Sequence, residues 1–212
     1  MRIVGFLGGT FDPVHFGHLR IGLEIKNVLA LDELHFVPCA KPPHKSGVMA
    51  SAEHRSRMLE LAIENIPGFA LDTRELDRQG LSYSIDTLKS IREEYGDATS
   101  ICWIVGSDSF QSLDTWHQWE QLFDFAHIVV ACRPGWKPDV ESAVGQQLSR
   151  RIVNEPSQLK QTACGLILPW QVTQLAISAT AIREMVAKDF SPRFLLPDAV
   201  RDFIELNKLY RQ

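Results

Sequence analysis

No stretch of this 212-residue chain carries 18 consecutive apolar residues, so it contains no candidate membrane-spanning helix. Positive charge is not in excess. The chain has 22 Lys and Arg against 26 Asp and Glu, a formal net charge of -4. That balance excludes a global basic field drawing the chain to nucleic acid or an anionic membrane, and any anion must be held by a local site. Cysteine is sparse. Cys39, Cys102, Cys132 and Cys164 are widely spaced and form no CxxC pair, which argues against a zinc or redox motif. They read as small buried core residues in a reducing cytoplasm. Repeats, low-complexity tracts and linkers are missing. The first apolar run, after Arg2, reads as a strand, because a signal peptide needs a longer apolar core and a small-residue cleavage site. The early glycines are followed by neither GK[ST] nor a GxGxxG pattern, so the Walker A loop and the dinucleotide fingerprint are both excluded.

What remains is an ordinary globular composition, 45% hydrophobic and 23% charged, long enough for one domain with a substantial core. Short apolar runs predict strands at Ile3 to Leu7, Leu34 to Val37 and Phe69 to Leu71, with two buried strands in SICWIVG and HIVVACRPG and a late one in GLILP. Helical spacing links Leu19 with Leu23, and Ile21 with Ile25 and Val28. It recurs over Ser51 to Ile63, in SYSIDTLKSIREEYG closed by Gly96, and over Thr180 to Ala187 and Pro197 to Leu206. The alternation predicts an α/β fold, a Rossmann-like doubly wound, mostly parallel sheet with helices on both faces. Residues 1–212 are expected to form a single domain, with the helical part from about 178 packed on it. In such sheets ligands bind at the carboxyl ends of the strands.

The chain leaves its first strand through GGTFDPVHFGH, residues 8 to 18. Glycines let backbone N–H groups approach an anion, and a following helix N-terminus adds partial positive charge. His15 and His18 are spaced three apart, as on one helix face, and Gly17 is expected to leave room for one phosphate to meet both rings. The competing reading is a partly exposed histidine pair or an incomplete metal site. Further on, Asp108 follows a buried strand and is suited either to ribose hydroxyls or to capping a helix. Ser178 and Thr180 read as helix caps or anion donors, with Arg183 one turn on. Trp116 offers an indole face to a ring, or anchors a loop together with Trp119. PPHK at 42 to 45 is a stiff basic loop, either solvated or closing over phosphate.

The stretch GGTFDPVHFGH resembles the signature of the nucleotidyltransferase superfamily related to class I aminoacyl-tRNA synthetases. PPHK, YSIDTL (83 to 88), IVGSDSF (104 to 110), TWHQWEQL (115 to 122), CRPG (132 to 135) and ISATAIR (177 to 183) are similar, in order and spacing, to bacterial nicotinate-nucleotide adenylyltransferases. The resemblance runs the length of the chain. It departs at Ala179, where many relatives carry Ser. It implies adenylyl transfer from ATP to nicotinate mononucleotide, giving deamido-NAD and pyrophosphate. The implied catalytic residues are His15, His18, Lys45 and Arg183. ATP is expected at Gly8, Gly9, Thr10, Phe11, His15, His18, Gly106, Asp108, Ser178, Thr180 and Arg183. The mononucleotide is expected at Thr10, His44, Lys45, Tyr83, Thr87, Trp116 and Arg133.

The implied chemistry needs no general base, because a phosphate monoester is mostly dianionic at pH 7, its second pKa being about 6. It needs donors and in-line positioning. Mg²⁺ is expected to arrive with ATP, since the sequence shows no acidic cluster for a dedicated protein site. The expected partners are the two small substrates, without nucleic acid or membrane. The alternatives are a related adenylyltransferase for nicotinamide mononucleotide or phosphopantetheine, a cytidylyltransferase for small phosphorylated alcohols, or a non-catalytic nucleotide-binding regulator.

Overall fold

Successive residues of each strand point to opposite faces of a sheet, and here both faces are apolar. Ile3 and Leu7 enter one core, while Val4 and Phe6 enter the other. Cys102 and Ile104 face the first, and Ile101, Trp103 and Val105 the second. The computed structural model describes residues 1–41 and 48–211. Its strands are β1 (Ile3–Gly9), β2 (Glu33–Pro38), β3 (Phe69–Leu71), β4 (Ser100–Gly106), β5 (His127–Cys132) and β6 (Ile167–Gln171). They form one sheet in the order β3-β2-β1-β4-β5-β6, with every described pair parallel. The order reverses between β1 and β4, which is where a doubly wound sheet opens a crevice.

The helices are α1 (Phe16–Leu29), α2 (Ala52–Ile63), α3 (Ser84–Tyr95), α4 (Ser107–Gln111), α5 (Leu122–Phe125), α6 (Ala143–Arg151), α7 (Ala179–Ala187) and α8 (Asp198–Leu206). The apolar stripes of α1, α2, α7 and α8 cover one face of the sheet, and those of α3, α5 and α6 the other. Each fully buried Leu or Ile contributes roughly 1.5–3 kcal/mol. Ile182, Val186, Val200 and Ile204 share the β1 core, so the C-terminal helices complete that face. Among the described residues no helix is long and apolar enough to cross a membrane.

Two buried arginines fasten the ends of the sheet, and both serve carbonyl oxygens. At the amino end Arg92 donates to the carbonyls of Gly96, Thr99, Phe125 and Ala163. Its counterpart at the carboxyl end is Arg55, described below. His127 is wholly buried and fully used. Its Nδ1 accepts from the Leu166 N–H at 3.1 Å, so Nε2 carries the proton and donates to the Thr162 carbonyl at 3.0 Å.

Three expectations change. Gly8 and Gly9 belong to β1, paired with Val37 and Pro38, and the turn begins only at Thr10. A Cβ on Gly8 would lie 2.8 Å from the Trp103 ring, and one on Gly9 would lie 2.9 Å from the Phe11 ring. The glycines therefore make room for aromatic side chains as well as exposing backbone. Cys102 and Cys132 are core residues as expected, but Cys39 and Cys164 are only half-buried. The amphipathic helix α6 was not foreseen; its polar sequence AVGQQLSRR buries only Val144, Gly145 and Leu148.

Gly8→Ala should be costly because the atom it meets is an indole in the packed core. Overpacking of this kind costs about 1–3 kcal/mol. Urea denaturation should show a loss in that range, and an unchanged midpoint would mean the Trp103 ring moves freely.

Candidate active site

Backbone groups at the carboxyl edge of a parallel sheet have no strand beyond them, so the loops there must find their own partners. Here a cavity of about 290 Å³ opens at the ends of β1 and β4. Gly8, Gly9 and Thr10 form one wall, Val105 and Gly106 another, and Tyr83, Trp116 and His117 the far rim. The Tyr83 and His117 rings pack 4.6 Å apart.

The loop after β1 is held by two charged side chains. Arg55, only 1% exposed, reaches from α2 and donates to the carbonyls of Thr10 (2.7 Å), Cys39 (2.6 Å), Ala40 (3.0 Å) and Ala50 (3.3 Å). The Asp12 carboxylate accepts from the N–H groups of Met49 (2.8 Å) and Ala50 (3.2 Å) and from the Tyr210 hydroxyl (2.7 Å). The Asp12 carbonyl accepts from Arg183 at 2.7 Å. Sequence reasoning missed Arg55, Tyr210 and the Asp12 carboxylate. Arg55 lies in AEHRSRM, which reads as a solvated helix. Its signal was weak: Arg55, Met58, Leu59 and Ala62 share the buried face of α2.

His15 is the N-cap of α1, in extended backbone, and His18 is its third residue. The expectation that Gly17 spaces two rings along one helix face is therefore corrected. The rings stack with centroids 3.8 Å apart, and a Cβ on Gly17 would lie 2.9 Å from His15 Nδ1. Gly17 makes room for the ring of His15. The N–H of His15 donates to His18 Nδ1 at 3.3 Å, which leaves the His18 proton on Nε2. Burial pushes the His15 imidazole down to about 4, so it is neutral at physiological pH, and its Nδ1 is buried without a partner. Phe11 lies beneath, its ring edge-on to His18.

Of the other expected residues, Gly106 lines the cavity and starts α4. Asp108 does not cap that helix; its carboxylate pairs with Arg133 at 2.8 Å across the tips of β4 and β5. Ser178 does cap α7, accepting from Ala181 N–H at 3.2 Å, and Thr180 accepts from Arg183 at 3.3 Å. Trp116 is half-buried, lining the cavity and packing against the core. Thr87 is displaced from its expected place. It is 0% exposed and absent from the cavity wall, its hydroxyl occupied by Glu75, Arg78 and the Tyr83 carbonyl. His44 and Lys45 lie outside the described residues. Cys39, Glu75, Ser82, Ser109, Ser112 and His117 line the cavity without having been singled out. Among the described residues no three His, Cys, Asp or Glu side chains gather as metal ligands.

The site can therefore present backbone donors, two imidazoles and a guanidinium to phosphate beside a ring-lined recess. The cytidylyltransferase-like family matches residues 6–185. A Methylococcus capsulatus protein named probable nicotinate-nucleotide adenylyltransferase is 48% identical over 98% of this chain and 99% of its own length. One of the same name from Aeromonas salmonicida is 43% identical, covering 98% and 97%. A Plasmodium falciparum nicotinic acid mononucleotide adenylyltransferase solved with NaAD superposes with a TM-score of 0.74 over 99% of this chain and 98% of that one. At 19% identity it shares the fold.

Arg55→Leu should strip donors from four carbonyls at once. Unsatisfied buried groups cost about 1–3 kcal/mol each, and partial solvation should leave a net loss of about 3–5 kcal/mol in urea unfolding. Arg55→Lys should recover only part, because an ammonium lacks the planar fork. A neutral Arg55→Leu variant would mean water replaces the guanidinium.

Proposed function

The chain belongs to the nicotinate-nucleotide adenylyltransferase family within the cytidylyltransferase-like group, and on that premise we propose that it transfers the adenylyl group of ATP to nicotinate mononucleotide, giving deamido-NAD and pyrophosphate in NAD biosynthesis. The observation that carries this reading is the double use of one loop. Gly9 and Thr10 form a wall of the ring-lined cavity, while His15 and His18 stand at the loop's other end beside Arg183. Two substrates bound on either side of Thr10 would bring their phosphates together.

The acceptor's phosphate is the nucleophile. It attacks the α-phosphorus of ATP in line, a new P–O bond forms, the bond to the β-phosphate oxygen breaks, and pyrophosphate leaves with the electron pair. His18 donates Nε2–H to the α-phosphate as charge redistributes, and stacked His15 keeps it aligned. Arg183, with Ser178 and Thr180 at the start of α7, faces the leaving phosphates. Asp108 accepts from the ATP ribose once released from Arg133, and Arg133 then turns to the mononucleotide. Trp116 supplies a face for the pyridine ring, and the first N–H groups of α3 beside Tyr83 meet its carboxylate. Mg²⁺ enters as part of the Mg-ATP substrate and neutralises developing charge on the leaving group. The proposed setting is the cytoplasm, which suits four free thiols.

With Mg-ATP, pyrophosphate release should be fastest with nicotinate mononucleotide. A charge-assisted hydrogen bond from N–H donors to the carboxylate is worth about 1.5–3 kcal/mol, which implies roughly ten- to a hundredfold in kcat/KM over nicotinamide mononucleotide. Equal rates, or a preference for phosphopantetheine, would reject the assignment. His18→Ala should fold and bind ATP normally yet turn over about a hundredfold or more slowly, as for loss of a transition-state donor. Full activity in that variant would remove His18 from the chemistry.

A further inference from the structure

Four buried side-chain polar atoms of the described residues have no hydrogen-bond partner, and two of them belong to residues lining the ring-lined cavity: Glu75 Oε2 and Trp103 Nε1. Buried polar groups are nearly always paired, so an orphan at a cavity wall marks a place where a ligand or water completes the bonding. The Glu75 carboxyl is held firmly. Its Oε1 accepts from the Thr87 hydroxyl at 2.7 Å, and Thr87 is tied in turn to the Tyr83 carbonyl at the start of α3. A carboxyl group is thus fixed under the helix terminus that meets the pyridine carboxylate in the function proposed above.

An ionised Glu75 would be an anion in the wall of a pocket for an anion. The groups facing it are the Thr87 and Ser82 hydroxyls, the Cys39 thiol and the Arg78 guanidinium, which donates to the Thr87 hydroxyl at 3.0 Å; all four favour the ionised form, and burial outweighs them. A neutral carboxyl has none of this conflict and offers an O–H to a carboxylate.

Resting on the reading of the cavity as the mononucleotide pocket, we propose that Glu75 is a specificity-determining residue that works in its protonated form, donating a hydrogen bond from Oε2 to the carboxylate of the nicotinate ring. Burial also pushes the Glu75 carboxyl above the usual carboxylate range, with Thr87, Ser82 and Arg78 opposing. The sign follows. The donor is present at low pH and lost as pH rises through that raised value, so the acid substrate should bind less well on the alkaline side. An ionised Glu75 accepts from a carboxamide, so the amide substrate should gain over the same range.

The test is steady-state kinetics from pH 5.5 to 9 with nicotinate and nicotinamide mononucleotides, on wild type, Glu75→Gln and Glu75→Ala. Glutamine keeps an acceptor for Thr87 and supplies a permanent N–H donor. In wild type the KM ratio of acid to amide should climb about tenfold across the range, as for loss of one charge-assisted bond. In Glu75→Gln that ratio should be flat, and KM for ATP should follow the same course in both. Glu75→Ala should show a raised KM for the acid at the acidic end of the range, where it has lost the donor, and a ratio that no longer changes with pH. Titration of the substrate phosphate is common to all three proteins and cancels in the ratio. A wild-type ratio that is flat, or one that Glu75→Gln reproduces, overturns the proposal. Failure of wild type to use nicotinate mononucleotide at any pH overturns the functional reading and the proposal with it.

Discussion

The geometry of the site depends on a single buried guanidinium. Arg55 holds the loop after β1, the end of β2 and the segment entering α2 by their carbonyl oxygens, while Asp12 holds the last of these by its N–H groups. Ala50 is gripped from both sides, its carbonyl by Arg55 and its N–H by Asp12. Isolated buried charges are expensive. Here each is satisfied by backbone dipoles, which a carboxylate partner could not have tied together across three chain segments. The result is a rigid corner on which His15, His18 and Arg183 can be placed to within a hydrogen bond's tolerance.

A chain of net charge -4 that receives two polyanions must spend its positive character locally. It does so largely without permanent cations. His15 is neutral, the backbone of the β1 loop is exposed through glycine and threonine, and α1, α3, α4 and α7 all begin at this edge of the sheet. Oriented dipoles need no counterion and little reorganisation when charge shifts along a reacting phosphate. Arg183, reaching the loop from α7, is a permanent cation there and is steadied by the Asp12 carbonyl.

The architecture was legible because its signals are local. Alternating short apolar runs and 3.6-residue periods located all six strands and most of the helices, and parallel pairing followed from their alternation. The position of the site was legible for the same reason, since GGTFDPVHFGH announces itself within eleven residues. What escaped was everything carried by long-range contacts. Arg55 and Glu75 look like surface charges in polar stretches, and only the packing of other segments buries them. Thr87 was assigned to ligand because it belongs to the motif YSIDTL, but its hydroxyl turns inward to Glu75. The stacking of His15 on His18 depends on a cap conformation that helical spacing does not reveal.

The hydrogen bond between Tyr210 and Asp12 joins residues 198 apart, and the one from Arg183 to the Asp12 carbonyl spans 171. The loop after β1 therefore depends on two partners that lie far from it along the chain. Contacts of such sequence separation close late, because loop-closure entropy opposes them until the intervening structure has formed. Without Tyr210 and Arg183 the corner that carries the histidines would rest on Arg55 and on the N–H groups of Met49 and Ala50 alone. Its final order thus arrives with α7 and with the segment that follows α8, rather than with the strand it leaves.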